Sequence, residues 1–102
     1  MQFEWDENKR LKTLRERGID FIDMAKVWND PNRQERVDRR FSYGEKRIQT
    51  IGKFMYDIFF IVYTERRYES GTEIVRIISA RRANGKERNL YINRTFTFSE
   101  AI

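Results

Sequence analysis

The sequence predicts a small α+β domain, in which two N-terminal helices pack on one face of a small curled antiparallel β-sheet and a short C-terminal helix follows. Three observations predict this fold class. The chain has 102 residues, which suits a single domain over residues 1–102. Helical spacing of apolar residues is confined to roughly the first thirty residues. Apolar, strand-like runs joined by short turns occupy residues 46–80.

The first elements are a short strand and a surface helix. Gln2 to Trp5 alternates polar and apolar residues, as strands do. Asp6 is a suitable N-cap, and the helix that follows is expected to run to about Arg17. Gly18 suits the left-handed position that commonly ends a helix.

A second helix is predicted after Asp20, whose side chain can cap the first turn. Its apolar residues recur at helical spacing and form one face: Phe21, Met24, Ala25 and Trp28. Pro31 lacks the amide hydrogen that a helix needs, so the helix is expected to end within residues 29–32.

The middle of the chain predicts a β-meander. Residues 33–40 are very polar and predict an edge strand or a loop, followed by a turn at Phe41 to Gly44. Three strands are then expected, at Lys46 to Phe54, Tyr56 to Thr64 and Thr72 to Ala80. Short connections between them, including one at residues 67–71, predict antiparallel pairing.

The C-terminal segment predicts a short helix from Lys86 to about Asn93, after a break at Asn84 and Gly85. Thr95 to Phe98 alternates and is a candidate final strand. No further amphipathic helix is evident in the sequence. We therefore expect the second face of the sheet to be uncovered and available to a substrate or a partner.

Two absent residue types exclude several classes of site. The chain has no cysteine and no histidine, which excludes disulfides, iron–sulfur clusters, a thiol nucleophile and a Ser-His-Asp triad. We expect no metal and no cofactor. The longest apolar run, Ile58 to Tyr63, is far shorter than the roughly 20 residues that cross a bilayer. The N-terminus lacks an apolar signal core, so we expect a cytoplasmic protein without a membrane partner.

Positive charge is concentrated towards the C-terminus. The chain has a net charge of +5, and residues 76–94 hold six basic side chains against one acidic side chain. Five of the six are arginines, which suit bidentate contacts with phosphate. Strand alternation predicts that Arg81 and Arg82 point to opposite faces. The cluster is a solvated basic face, a phosphate-binding patch for nucleic acid or a docking surface for an acidic partner.

Two groups of residues could perform chemistry: Tyr63-Thr-Glu-Arg66 at a strand end, and the basic stretch that begins at Arg76. Cleavage of RNA by its own 2′-hydroxyl requires a proton acceptor, cations around the phosphate and a proton donor. Each group also has a purely structural interpretation. Tyr63 is then a core tyrosine, Glu65 and Arg66 form an exposed ion pair, and Arg76 has a structural carboxylate partner.

Short motifs along the chain follow the order typical of one protein family. They are Phe3-Glu-Trp-Asp6, Phe21 to Trp28 followed by Asp30-Pro31, Gly44-Glu-Lys-Arg47, Tyr63-Thr-Glu-Arg66, and Arg76-Ile-Ile-Ser-Ala-Arg-Arg-Ala83 with Glu87-Arg88 and Tyr91. This ordered set resembles BrnT-type toxins over residues 3–91. Residues 92–102 form a tail outside the resemblance.

The resemblance implies a RelE/ParE-like fold and a ribonuclease toxin of a type II toxin–antitoxin module. It implies catalytic roles for five residues: Tyr63, Arg66, Arg81, Arg82 and Glu87. Tyr63 lies where other members often have histidine, and a tyrosine is a far weaker base at neutral pH. We also expect RNA contacts from basic and aromatic residues around them: Arg47, Arg76, Lys86, Arg88 and Tyr91.

Partners follow from the same resemblance. It implies an RNA substrate, a neutralising BrnA-like antitoxin with a ribbon-helix-helix domain, and operator DNA reached through that antitoxin. The expected activity is metal-independent endonucleolytic cleavage of RNA, which inhibits translation. Two alternatives stay open, because fold alone does not determine function. One is a gyrase-binding toxin like the ParE branch, and the other is a non-catalytic module that binds the antitoxin or nucleic acid.

Overall fold

The computed structural model describes residues 1–40 and 44–100, so most of the predicted turn at Phe41 to Gly44 lies outside the described residues. The described elements are β1 (Gln2–Trp5), α1 (Glu7–Arg17), α2 (Phe21–Met24), a 3-10 helix (Ala25–Asn29), β2 (Gln34–Val37), β3 (Ile48–Phe54), β4 (Asp57–Arg67), β5 (Glu73–Arg82) and α3 (Gly85–Asn93). The strands form one sheet in the order β1-β5-β4-β3-β2. Among the described residues, no helix is both long and apolar enough to cross a membrane.

The sheet is mixed, which corrects the prediction of a wholly antiparallel sheet. β2 to β5 pair antiparallel in chain order, so β2 is the edge strand predicted as one outcome for residues 33–40. β1 pairs parallel with β5, placing Gln2 opposite Ile74. The meander decides the direction of β5, and β1 then pairs with its other edge. The alternating pattern of β1 is the same for either direction of pairing.

The predicted helix caps are confirmed. Asp6 accepts the Lys9 N–H at 3.1 Å, Gly18 ends α1 with a φ of 68°, and Asp20 caps α2 through its side chain. The second helix is shorter than predicted, because α-helical bonding ends at Met24 and a 3-10 helix continues the chain. A 3-10 turn is frequent at the end of an α-helix, and apolar spacing over so few residues does not separate the two.

One face of the sheet packs against α2 and the 3-10 helix. Phe21, Met24 and Val27 are buried there together with Ile77 of β5. The 3-10 helix lies so close to β3 that a Cβ at Gly52 would overlap the Val27 side chain. A glycine at this point therefore sets the distance between helix and sheet.

The second face of the sheet is covered, so the prediction of a bare face was wrong. Five residues form its buried cluster: Ile51, Phe60, Val62, Ala83 and Phe96. Leu90 and Tyr91 of α3 pack against this cluster. The predicted strand at residues 95–98 is also wrong, because an irregular turn there inserts Phe96 into the core. So few apolar side chains in a short helix and tail produce no recognisable period.

Candidate functional site

Three arginines of the basic stretch, residues 76–94, contact carboxylates where β5 ends and α3 begins. Asn84 caps α3: its Oδ1 accepts the Glu87 N–H at 2.8 Å, and a Glu87 carboxylate oxygen accepts the Asn84 N–H at 2.9 Å. The same carboxylate accepts two N–H groups from Arg81 at 2.7 and 2.8 Å. The cap thus holds Glu87, and Glu87 holds Arg81 in a bidentate pair.

Arg82 and Arg88 meet at a second carboxylate of the same junction. Asp57, at the start of β4, accepts a hydrogen bond from Arg82 Nε at 3.2 Å and another from Arg88. Burial would raise the pKa of Asp57, but the Arg88 side chain and the Ile58 amide hold that pKa below its usual range. We call Arg81, Arg82, Arg88 and their two carboxylates the β5–α3 junction.

The two adjacent arginines lie on opposite faces, which confirms the prediction from strand alternation. The Arg81 guanidinium lies 4.2 Å from the centre of the Phe60 ring, on the face that α3 covers. Arg82 lies 6.0 Å from the centre of the Phe59 ring, on the other face. Both side chains are partly exposed. The two guanidinium groups therefore flank the end of β5.

Two of the predicted arginines lie away from this junction. Arg66 lies seven residues along β4 from Phe59, the register partner of Arg82, which is about 23 Å of strand. Arg66 is exposed there. Arg76 donates to Glu4 of β1 at 2.8 Å, so it has the structural carboxylate partner considered as an alternative. The arginines of the sequence prediction do not all converge.

Tyr63 is buried on the face that packs against α2. Its side chain is 2% exposed, its ring packs edge-on against Trp28, and its hydroxyl donates to the Glu35 carboxylate. Burial and this hydrogen bond raise the pKa of Tyr63 well above its usual range. A buried neutral phenol that already donates its proton is poorly suited to accept one. A catalytic role for Tyr63 thus stays a prediction that these contacts do not support.

The remaining predicted RNA contacts are dispersed. Lys86 is exposed in the first turn of α3, and Arg47 forms an ion pair with Glu45 at 3.7 Å. The Tyr91 hydroxyl donates to Asp30 at 2.6 Å, and burial together with this bond raises the pKa of Tyr91 to about 12. Tyr91 thereby anchors α3 to the segment that precedes β2.

Arg36 of β2 is a residue that the sequence prediction did not select. Its Nε donates to Gln49 at 2.8 Å, and its guanidinium carbon lies 4.0 Å from the centre of the Phe96 ring. Its charge also interacts with Glu87 of the junction. Strand alternation within Gln34–Val37 would have indicated the face on which Arg36 lies, had this segment been assigned to a strand.

A cleft of about 580 Å³ lies beside β2. Its charged lining comprises Glu35, Arg36, Arg39, Lys46 and Glu100. Glu35 is about half exposed, whereas Glu87 of the junction is buried. Among residues 1–40 and 44–100, no group of three or more acidic side chains is placed to hold a metal ion.

The motif order agrees with a comparison against protein families. A family model described as the ribonuclease toxin BrnT of a type II toxin–antitoxin system matches residues 5–87. The match includes all five residues predicted to be catalytic and ends within α3. A search of curated proteins found no match. The chain belongs to the BrnT family of ribonuclease toxins of type II toxin–antitoxin systems.

Proposed function

We propose that this chain is an endoribonuclease toxin that cleaves RNA without a metal ion and thereby inhibits translation. The 2′-oxygen of one nucleotide attacks the neighbouring phosphorus, and the bond from phosphorus to the 5′-oxygen breaks. The 2′-hydroxyl proton passes to a base, and the departing 5′-oxygen takes up a proton. The products are a 2′,3′-cyclic phosphate and a 5′-hydroxyl.

The observation that carries this proposal is the β5–α3 junction. Arg81, Arg82 and Arg88 all lie there with part of each side chain exposed. A guanidinium group can donate two parallel hydrogen bonds to a phosphate. Arginines that bind the phosphates on either side of the cleaved bond would hold the RNA in place for the attack.

We assign the junction residues different tasks. Arg81 and Arg82 bind RNA phosphate from either side of the strand end. Glu87 is a positioning residue, because it is buried and already binds both Arg81 and the α3 cap. Arg66 lies far along β4, so it would contact the RNA at a distance from the junction.

We further propose that the antitoxin is a ribbon-helix-helix protein that carries the toxin to operator DNA. The junction supports an acidic antitoxin segment as its occupant, since its partly exposed arginine side chains attract carboxylates as well as phosphates. Such a segment would exclude RNA by competition. The proposed place of action is the cytoplasm, where translation takes place.

Incubation of the purified, antitoxin-free chain with RNA in EDTA tests the catalytic proposal. We expect cleavage with 2′,3′-cyclic ends, and a 2′-deoxynucleotide at the cleaved position should prevent it. Arg82→Ala should lower kcat/KM about 100-fold, as should Arg81→Lys, which keeps the charge but not the bidentate geometry. Arg15→Ala, on the exposed surface of α1, is the matched control and should cleave normally. RNA that stays intact with the wild-type chain would overturn the proposal.

A further inference from the structure

We propose that the cleft beside β2 holds the reacting nucleotide, and that Glu35 is the catalytic base that removes the 2′-hydroxyl proton. This inference rests on the proposed ribonuclease function and names the residue and the place at which that function is carried out. None of the residues predicted from the sequence supplies such a base in an exposed position.

The Glu35 carboxylate is oriented yet accessible. Its Oε2 accepts hydrogen bonds from the buried Tyr63 hydroxyl and from Arg33 Nη1, the latter at 3.2 Å. Arg33 is itself held by Thr50 at 3.0 Å and by the Trp28 ring at 5.0 Å. The side chain of Glu35 is nevertheless 51% exposed. A base needs this combination of a fixed orientation and contact with the substrate.

The two carboxylates of the β5–α3 junction are already engaged. Glu87 is buried and binds Arg81 with both oxygens. Asp57 accepts from Arg82, Arg88 and the backbone. Since the chain has no histidine, a carboxylate is the natural choice for a proton acceptor at neutral pH.

The cleft around Glu35 suits a nucleotide. Its volume of about 580 Å³ lies within the range of roughly 300–1,000 Å³ typical of ligand sites. Arg36, Arg39 and Lys46 supply positive charge for a phosphate, and Ile48 contributes an apolar wall. Arg36 also interacts with Glu87, so it connects the cleft to the junction where the flanking phosphates are proposed to bind.

Every proton that moves in this cleavage step is accounted for. Glu35 takes the proton of the 2′-hydroxyl as the 2′-oxygen bonds to phosphorus. The bond to the 5′-oxygen breaks, and that oxygen takes a proton from water. The hydroxide left by this transfer removes the proton from Glu35, so the carboxylate is restored and no other reactant is consumed.

Single-turnover cleavage in EDTA and binding of a 2′-O-methyl RNA, measured side by side, test the inference. Glu35→Gln keeps an oxygen that can accept from Tyr63, and it should lower the cleavage rate at least about 100-fold while the Kd changes less than about twofold. The matched control is Glu73→Gln, because Glu73 is an exposed glutamate that binds an arginine, Arg67, on another part of the sheet. It should change neither quantity. Lys46→Ala should weaken binding.

The outcomes separate this inference from the proposed function. If the wild-type chain and Glu35→Gln cleave equally while Arg82→Ala does not cleave, the base lies elsewhere and the inference fails, although the ribonuclease function stands. Equal losses of binding and cleavage in Glu35→Gln would also overturn the role as a base. If the wild-type chain leaves RNA intact, the proposed function itself fails. Should Glu35→Gln not fold, Glu35→Ala replaces it, and an unchanged cleavage rate in that variant would overturn the inference.

Discussion

Carboxylates hold the arginines of the β5–α3 junction in defined positions. Arg81 is bound by Glu87, while Arg82 and Arg88 share Asp57. A phosphate that binds here must share the guanidinium groups with these carboxylates, since each group has five N–H donors. At the scale of the residue, the acidic side chains therefore determine where the positive charge points.

Glu87 should make stability depend on pH. Burial would raise its pKa, but the hydrogen bonds from Arg81 and Asn84 lower it below the ordinary value of 4.5. Because folding lowers its pKa, the ionised Glu87 side chain stabilises the folded state fully above pH 4.5. This stabilisation is lost as the pH falls through the pKa that Glu87 has in the folded state. Glu87→Gln should cost about 1–3 kcal/mol of unfolding free energy at neutral pH.

Urea unfolding of the wild-type chain and Glu87→Gln, followed from neutral to acidic pH, measures this effect. The difference in unfolding free energy between the wild-type chain and Glu87→Gln should shrink as the pH falls. Glu69→Gln, at an exposed glutamate in the connection between β4 and β5, serves as the control and should follow the wild type throughout. A difference in unfolding free energy that is independent of pH would contradict the lowered pKa of Glu87.

At the scale of the element, α3 depends on the tail that follows it. Glu87 is the one buried residue of this helix, and its apolar contacts come from Leu90 and Tyr91 at the edge of the second cluster. Phe96 completes that cluster and packs edge-on against Phe60 with ring centres 6.3 Å apart. The tail lies beyond the matched family segment, yet it closes the core on this face.

Two phenylalanines of the tail offer a matched comparison. Phe96 is fully buried, whereas Phe98 is 86% exposed. Phe96→Ala should lower the unfolding free energy by about 3–5 kcal/mol because it leaves a cavity between α3 and the sheet. Phe98→Ala should stay within about 0.5 kcal/mol of the wild type. Chemical denaturation measures both, and equal losses in the two variants would contradict the packing described.

At the scale of the whole molecule, positive charge is spread over more than one surface. The junction arginines flank the end of β5, while Arg36, Arg39 and Lys46 line the cleft beside β2. An RNA strand that occupies both places would pair several phosphates with cations. Its affinity should then depend strongly on salt, because each phosphate contact releases counterions.

The salt dependence of RNA binding is a prediction with its own control. The logarithm of the affinity for a 2′-O-methyl RNA should fall by roughly 0.7 per tenfold increase in salt for each phosphate contact. Lys86→Ala should reduce the slope by about one such contact. Lys12→Ala, at an exposed lysine of α1, should leave it unchanged. Fluorescence anisotropy at several salt concentrations measures the slope. An affinity that does not change with salt would show that the basic residues of 76–94 do not bind the RNA phosphates.

The sequence by itself determined those features that depend on neighbouring residues or on the order of motifs. The caps at Asp6 and Asp20 follow from local hydrogen bonding, and the opposite orientation of Arg81 and Arg82 follows from strand alternation. The fold class followed from the spacing of apolar residues. Membership of the BrnT family followed from the ordered motifs, which needed no coordinates to be recognised.

Only the tertiary structure decided which residues far apart in the chain meet. It placed β1 parallel to β5, inserted Phe96 into the second face, and gave Tyr63 the carboxylate of Glu35 as its partner. These outcomes depend on contacts between segments separated by dozens of residues. A local pattern shows that a side chain is apolar, acidic or basic. The packing of the whole chain determines which residue that side chain contacts.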